Sequence, residues 1–536
     1  MGTKTKIVLF LILITFLGLF FRLWNINFGL PHSFYADEPE IAELAIKYTY
    51  EIKNIVSEGN YYKLIPISYV YGTFPSYLFT IFTMGFSKIS NVIGDPATKY
   101  GLYVAMRVFN AILSFLIVPT VSYIFYKLTK KTKLSLVVYF LLALNWKLIV
   151  HAHYINADII LTLLLSLSFL TTLLYLEKQK EDTLLTLITG ALLGLAIGTK
   201  ITALISLPLF LWIFYSKGRL MNVLGLFFVA LTAFALSNPF SLIFAGDFTF
   251  RIYEMIFKEA GLVFDSVDTG VWKYLKAVLD MITPALAVFA IAGVMAQHME
   301  RDKTHSSRFK LFLFLNIIFY ILFFSLQSRR VDRWILPVLP IIICFSAWGF
   351  EKTRPKKWLR RFVFAIIFIT YIYYPALLLT QFQRWTPKSA AYLWAKENIP
   401  ETTSTLVYTE EGLDPMNKLS GAKVYQYEVY SSKGAELFYP KDPGYYDYIV
   451  ISSRPMENHK RPEVKNTYPE YYERWSYFLK ELNNREKFEK IQEFELSKPN
   501  LIPLSDVTIY KSKTKKDLPV GRPVPYLQVI SESLTP

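Results

Sequence analysis

Two adjacent carboxylates, Asp37 and Glu38, stand in the segment Phe34-Tyr35-Ala36-Asp37-Glu38-Pro39-Glu40, shortly after an N-terminal apolar run. Further charged groups recur just outside later apolar runs. Residues 151–158 hold His151, His153 and Asp158; residues 247–259 hold Asp247, Arg251, Glu254 and Glu259; residues 327–333 hold Arg329, Arg330, Asp332 and Arg333. Lys200 stands alone between two short apolar runs. A carboxylate beside a bound hydroxyl can take its proton as the oxygen attacks carbon. Arginine matches phosphate oxygens with planar donors, and lysine adds a point charge. A phosphate leaving group needs no proton donor when cations hold its developing charge. One carboxylate base and several cations at a membrane surface therefore fit one reaction: an acceptor hydroxyl or amine attacks the anomeric carbon of a sugar held on a lipid phosphate. Water-soluble nucleotide sugars are not expected outside the cytoplasm, so a lipid carrier is the natural donor.

Each residue also has a plainer reading. Asp37 can cap a helix, with Pro39 in the first turn. Asp158 can cap the span it opens. His151-x-His153 with Asp158 can be read as a metal site, although that spacing alone is weak. Arg329, Arg330 and Arg333 can anchor a helix end in lipid headgroups. Three arginines in an outer loop run against topological bias, which favours phosphate binding. His151, His153, Arg251 and Glu254 are candidate substrate contacts.

These groups need a frame. The chain has 536 residues, is 53% hydrophobic and only 19% charged, and its mean hydropathy is +0.31. Residues 1–382 are mostly apolar runs joined by short basic loops, whereas 383–536 are polar and hold no long apolar run. A polytopic helical membrane domain followed by one soluble domain is expected. A crossing needs about 20 mostly apolar residues. Eleven runs qualify, at 6–24, 102–126, 134–150, 159–176, 184–199, 201–216, 219–236, 276–297, 309–326, 334–350 and 362–381, with eleven to thirteen crossings as the range. The first run is followed by Arg22, Leu23, Trp24 and Asn25 rather than a small-residue cleavage site, so it reads as a retained helix.

Charge sets the sidedness. With eleven crossings and a cytoplasmic N-terminus, Lys127 to Lys133, Arg301 to Lys310 and Lys352 to Arg361 fall inside, and far fewer basic residues fall outside. The segment 73–86 is then an interfacial helix, and 38–56 is amphipathic. Asp37, Asp158, Arg251, Arg333 and the soluble domain share the extracytoplasmic face of a multi-pass plasma-membrane protein. The net charge of +16 is explained by these loops, so no nucleic-acid partner is expected. Cys344 is the only cysteine, so no intrachain disulfide can form.

In the soluble domain, 387–400 and 469–494 read as helices, and 404–410, 445–453 and 505–512 as strands. This predicts a small α/β sandwich.

The order Tyr-Ala-Asp-Glu-Pro (35–39), an outer helix, Arg107 in RVFNAIL, His-x-His-x4-Asp before a span, GLAIGTK (194–200) and RRVDRWILPVLP (329–340) resembles the GT-C superfamily of lipid-carrier-dependent glycosyltransferases. The nearest branch is that of protein O-mannosyltransferases and aminoarabinose transferases (glycosyltransferase family 39-like), over roughly residues 1–380. The resemblance implies inverting transfer from a polyprenyl-phosphate sugar to a lipid, glycan or protein acceptor. It implies Asp37 as base, Asp158 and Glu38 in support, and Lys200, Arg329, Arg330 and Arg333 on the donor phosphate. Where aminoarabinose transferases carry Lys-Pro in the first outer loop, this chain has Gly72-Thr73-Phe74-Pro75. It also lacks the Asp-x-Asp metal motif of oligosaccharyltransferases, so no obligatory metal or other cofactor is expected. The rivals are a transporter or flippase of lipid-linked sugars, which would want internal repeats and mid-membrane polar groups, and a ligase or polymerase using a lipid pyrophosphate.

Overall fold

The computed structural model describes residues 2–30, 37–66, 69, 71–93, 99–178, 182–258, 270–299, 305–327, 331–353, 355–383, 385–409, 419, 422–426, 440–453, 460–502, 504–514 and 516. The chain forms two compact units, one of Met1–Gly261 with Asp268–Arg384, the other of Leu262–Val267 with Trp385–Pro536.

The first unit is helical. In chain order its helices are α1 (Thr3–Leu23), α2 (Asp37–Glu58), α3 (Phe74–Ile93), α4 (Lys99–Thr129), α5 (Thr132–Ala143), α6 (Trp146–Ala152), α7 (Ala157–Glu177), α8 (Thr183–Thr199), α9 (Leu207–Tyr215), α10 (Leu220–Ser237), α11 (Pro239–Ile243), α12 (Ala245–Tyr253), α13 (Val271–Ile282), α14 (Pro284–Met299), α15 (His305–Ser325), α16 (Leu339–Thr353) and α17 (Lys357–Gln381). A 3-10 turn, Asp332–Val338, leads into α16. Among the described residues seven helices are long and apolar enough to cross a bilayer, or nine if two bent pairs each count as one crossing. The protein is a multi-pass membrane protein. The two remaining expected crossings, 184–199 and 201–216, are helical but short.

Two expected crossings need correction, the first being 134–150, which is broken into α5 and α6 bent by 49°. The run 276–297 is not a straight helix: α13 and α14 meet at 112°. Thr283 adopts φ 78 there, and Pro284 has no N–H to continue the hydrogen-bond ladder. The expected interfacial segment 73–86 is the first part of α3, which lies against α2. Polar ties join the two: Ser76 Oγ donates to Ile41 O, Thr80 Oγ1 to Ala45 O, and the hydroxyls of Thr49 and Thr83 lie 2.6 Å apart.

Helix association inside a membrane relies on close packing rather than on expulsion of water. The GLAIGTK segment shows how. A Cβ added at Gly194 would lie 2.2 Å from Ala230 O, and one at Gly198 would lie 2.3 Å from the side chains of Ser237 and Asn238. Only glycine lets α8 approach α10 this closely, and that approach fixes where Lys200, at the end of α8, emerges.

The second unit is a mixed five-stranded sheet. Its strands are β1 (Thr405–Thr409), β2 (Ala422–Gln426), β3 (Tyr448–Ser452), β4 (Phe488–Phe494) and β5 (Val507–Ser512), in the order β2-β1-β3-β5-β4. The β2-β1-β3 part is parallel, and β3-β5-β4 is antiparallel. β3 is buried along its whole length, as a strand covered on both faces must be. On one face Ala391 and Ala395 of α18 (Pro387–Asn398) meet Val407, Val450 and Ile509. On the other, Trp475, Phe478 and Leu482 meet Leu406, Ile449 and Ile451. Two short helices, α19 (Pro462–Thr467) and α20 (Pro469–Leu482), precede β4. The expected helix 469–494 is therefore half right: it stops at Leu482, and Phe488–Phe494 is a strand pairing with β5. The Asn483-Asn484 turn ends the helix, because asparagine side chains compete for backbone donors.

Candidate active site

Four side chains from four separate elements form one ion-paired cluster. Asp37 opens α2, and Asp158 lies in the first turn of α7. Both carboxylates thus sit at positive helix ends. Asn156, not Asp158, caps α7: its side-chain oxygen accepts from the Ile159 N–H at 3.1 Å. Asp158 is left to pair with cations. Lys200 Nζ donates to Asp158 Oδ1 at 2.7 Å. Arg333 reaches both acids: Nη2 pairs with Asp37 Oδ2, and Nε lies 3.4 Å from Asp158 Oδ2. The Lys200 ammonium also faces the Tyr71 ring, 5.8 Å from its centroid.

The two carboxylates differ in access. The Asp37 side chain is 20% exposed and that of Asp158 only 3%. A group that must meet an incoming substrate needs an open side, and Asp37 has the larger one.

Glu38 faces elsewhere. Its two oxygens accept from Arg107 Nε (2.7 Å) and Nη2 (2.6 Å), and Oε1 also accepts from the Ile155 N–H at 3.1 Å. Arg107 Nη1 donates to the carbonyls of Ile26 and Phe28, and the guanidinium lies over the Phe28 ring at 4.9 Å. Both partners are fully buried. This bidentate pair ties α2 to α4, to the turn after α1 and to the turn before α7. It holds Asp37 and Asp158 at a fixed separation without itself entering the cluster.

The histidines divide as well. His153 Nδ1 and Nε2 face the carbonyls of Ile149 (2.9 Å) and Trp24 (3.0 Å), and its ring stacks on Phe382 at 3.7 Å. Burial pushes this imidazole down to about 4, against the pull of the two carbonyls. His153 fastens the end of α6 to the ends of α1 and α17. His151 is buried near the cluster, within electrostatic reach of Lys147, Arg333 and Lys200, with its Nδ1 3.4 Å from the Asn156 amide. Arg251 and Glu254 pair along one helical stretch at 3.5 Å, and Lys258 joins Glu254 at 3.5 Å. Arg329 and Arg330 lie outside the described residues. Among the described residues no group of three or more His, Cys, Asp or Glu side chains is placed to hold a metal ion.

Lys147 is the residue that the sequence reading passed over. It sits on α6, and Asp332, Arg333 and Asp280 all act on its charge. Its signal was present, a lone cation in the apolar run 134–150, but the run's hydropathy hid it.

Residues 12–227 match the family model described as dolichyl-phosphate-mannose-protein mannosyltransferase. No curated protein matches the chain. The fold is similar to that of ArnT from Cupriavidus metallidurans in the apo state, with a TM-score of 0.54 at 11% identity, covering 95% of this chain and 98% of that one. The crystal structure of the same ArnT bound to undecaprenyl phosphate gives 0.52 at 11% identity with the same coverage. The archaeal oligosaccharyltransferase AglB from Archaeoglobus fulgidus, in complex with an inhibitory peptide and a dolichol-phosphate, gives 0.50 at 13% identity, covering 84% of this chain and 69% of that one. The family-model match covers less than half of the chain, and these solved structures share its fold.

Proposed function

We propose that this GT-C-fold membrane protein moves a sugar from a polyprenyl-phosphate donor to a lipid, glycan or protein acceptor outside the cytoplasm, with inversion at the anomeric carbon. The observation that carries the reading is the single guanidinium of Arg333 joining Asp37 to Asp158. It supports a reading in which a carboxylate base and a phosphate-matching cation share one site. Asp37, the more open acid, takes the proton of the acceptor hydroxyl or amine. The acceptor atom bonds to the anomeric carbon, and the carbon–oxygen bond to phosphate breaks with its electron pair going to the lipid phosphate. Arg333 and Lys200 meet the charge that develops on that phosphate. Asp158 holds both cations, and Glu38 with Arg107 positions Asp37. From the sequence Arg329 and Arg330 are further phosphate-binding candidates, and His151 lies within electrostatic reach of the cations as a candidate substrate contact.

A prenyl chain needs an apolar path beside the charges. A cavity of ≈ 860 Å³ between α13, α14 and α15, lined by Leu275, Leu279, Ile291, Phe314 and Ile317, offers one. The relatives are suggestive here: one ArnT structure holds undecaprenyl phosphate, and an AglB structure holds dolichol-phosphate and a peptide. The basic loops favour a cytoplasmic N-terminus, with the acid cluster and residues from 383 outside the cytoplasm.

The test is direct. Purified protein is incubated with a panel of polyprenyl-phosphate hexoses and pentoses, and released lipid phosphate is measured. Asp37→Asn should still bind the donor but transfer no sugar. Normal turnover in that variant would remove Asp37 as base.

A further inference from the structure

Three candidate crossings run from the acid cluster to a second charged place at their far ends. They are α5 with α6, Asp332–Thr353 and α17. At about 1.5 Å per residue, the Asp332–Thr353 stretch puts roughly 30 Å between Arg333 and the end of α16. There the start of α5, the end of α16 and the start of α17 surround a cavity of ≈ 1280 Å³. Its walls are apolar and aromatic, including Phe140, Phe364 and Phe368, with the rings of Phe140 and Phe368 stacked at 5.8 Å. Its rim carries Lys131, Lys133, Lys357, Arg360 and Arg361. The lining holds one carboxylate, Glu351, and that is already paired with Lys131.

A strongly cationic rim over an aromatic cleft, at the level where helices leave the hydrocarbon, complements one class of molecule. A soluble phosphate would leave the apolar walls uncovered. A zwitterionic lipid would bring its own cation to a rim already rich in cations. Basic pockets between helix ends are known to favour anionic headgroups. We propose that this cavity binds an anionic glycerophospholipid of the leaflet opposite the acid cluster. Its phosphate is held by Arg360, Arg361 and Lys357, and its acyl chains lie on Phe140, Phe364 and Phe368. The site is separate from the transfer chemistry and stands whether or not that reading holds.

Native mass spectrometry of the delipidated full chain tests this, with phosphatidylglycerol, phosphatidylcholine of the same chains and inorganic phosphate as probes. Phosphatidylglycerol should bind at least tenfold more tightly than phosphatidylcholine, and millimolar inorganic phosphate should not displace it. Each basic residue near a membrane surface is worth about fivefold in such binding. The double variant Arg360→Gln, Arg361→Gln should therefore bind phosphatidylglycerol about 25-fold more weakly, and its preference over phosphatidylcholine should shrink. If that variant does not fold, Lys133→Gln with Lys357→Gln carries the same expectation from two other positions. Equal binding of the two lipids, displacement by inorganic phosphate, or full retention in the folded variants would each overturn the proposal.

Discussion

Replacing Arg333 with glutamine removes the one group shared by both acids of the cluster. In the proposed reaction a lipid phosphodiester leaves as a phosphate monoester and gains one negative charge. A cation about 4 Å from that charge is worth about 4 kcal/mol at an effective dielectric of about 20. The side chain of Arg333 is 19% exposed, so solvent reduces this, and only part of the charge has developed in the transition state. A loss of about 2–4 kcal/mol remains, or roughly 30- to 1000-fold in rate, within the range seen when one preorganised donor is removed from an active site. The assay is donor-saturation kinetics with released lipid phosphate as the readout, alongside the thermal midpoint of each variant. Arg333→Gln should lower kcat by that factor while the protein stays folded. Arg333→Lys keeps the charge but not the planar fork, and should recover part of the rate. A kcat within threefold of wild type in folded Arg333→Gln protein would refute the reasoning, because no group essential to phosphate departure is that dispensable.

Glu38→Gln should lower the thermal midpoint sharply, because removing one partner of a buried pair strands the charge of the other at about 3–5 kcal/mol; an unchanged midpoint would mean that Arg107 is not held as described. Gly194→Val places a side chain where Ala230 O already sits, so α8 cannot seat on α10. The yield of monodisperse protein on size exclusion should collapse, and recovery at wild-type levels would contradict the close approach. The His153 imidazole is held near 4 in the folded protein and returns to about 6.5 when unfolded. Its contribution is fully present above pH 6.5 and is lost as pH falls toward 4, since the unfolded chain then binds the proton first. The thermal midpoint measured from pH 7 to 5 should fall, and fall less steeply in His153→Gln; parallel slopes would exclude His153 as the titrating group.

The fold was legible where it rests on long-range composition. Apolar runs of sufficient length marked every crossing region, since hydrocarbon leaves the backbone no partner but its own helix. What stayed hidden was bending: nothing in the hydropathy of 276–297 distinguishes a 112° corner from a straight helix, and only Thr283-Pro284 hints at it. In the soluble unit the strand at Phe488–Phe494 was absorbed into a helix because Glu and Lys dominate its exposed positions. For the cluster, sequence brought Asp37, Asp158, Lys200 and Arg333 to one face by topology alone. It could not separate Asp37 from Glu38. Adjacent residues on a helix point about 100° apart, so one of the two had to face away, and the pairing of Glu38 depends on Arg107, 69 residues further on.

Charge balance sets what the four-residue cluster can hold. Asp37 and Asp158 neutralise Arg333 and Lys200 one for one when no donor is bound. A donor phosphodiester adds one negative charge, and its departure adds another that the proton taken by Asp37 offsets, so two carboxylates and two cations leave donor and product phosphate alike one positive charge short. Lys147, in the first turn of α6, lies within electrostatic reach of Arg333 and of the acids Asp332 and Asp280. It sits beside the break between α5 and α6, inside a candidate crossing, where a charge is costly. In the proposed reaction, the contrast between a saturated buried pair on one side and a part-exposed guanidinium shared by two acids on the other separates the residues that hold the site in shape from those that change partners.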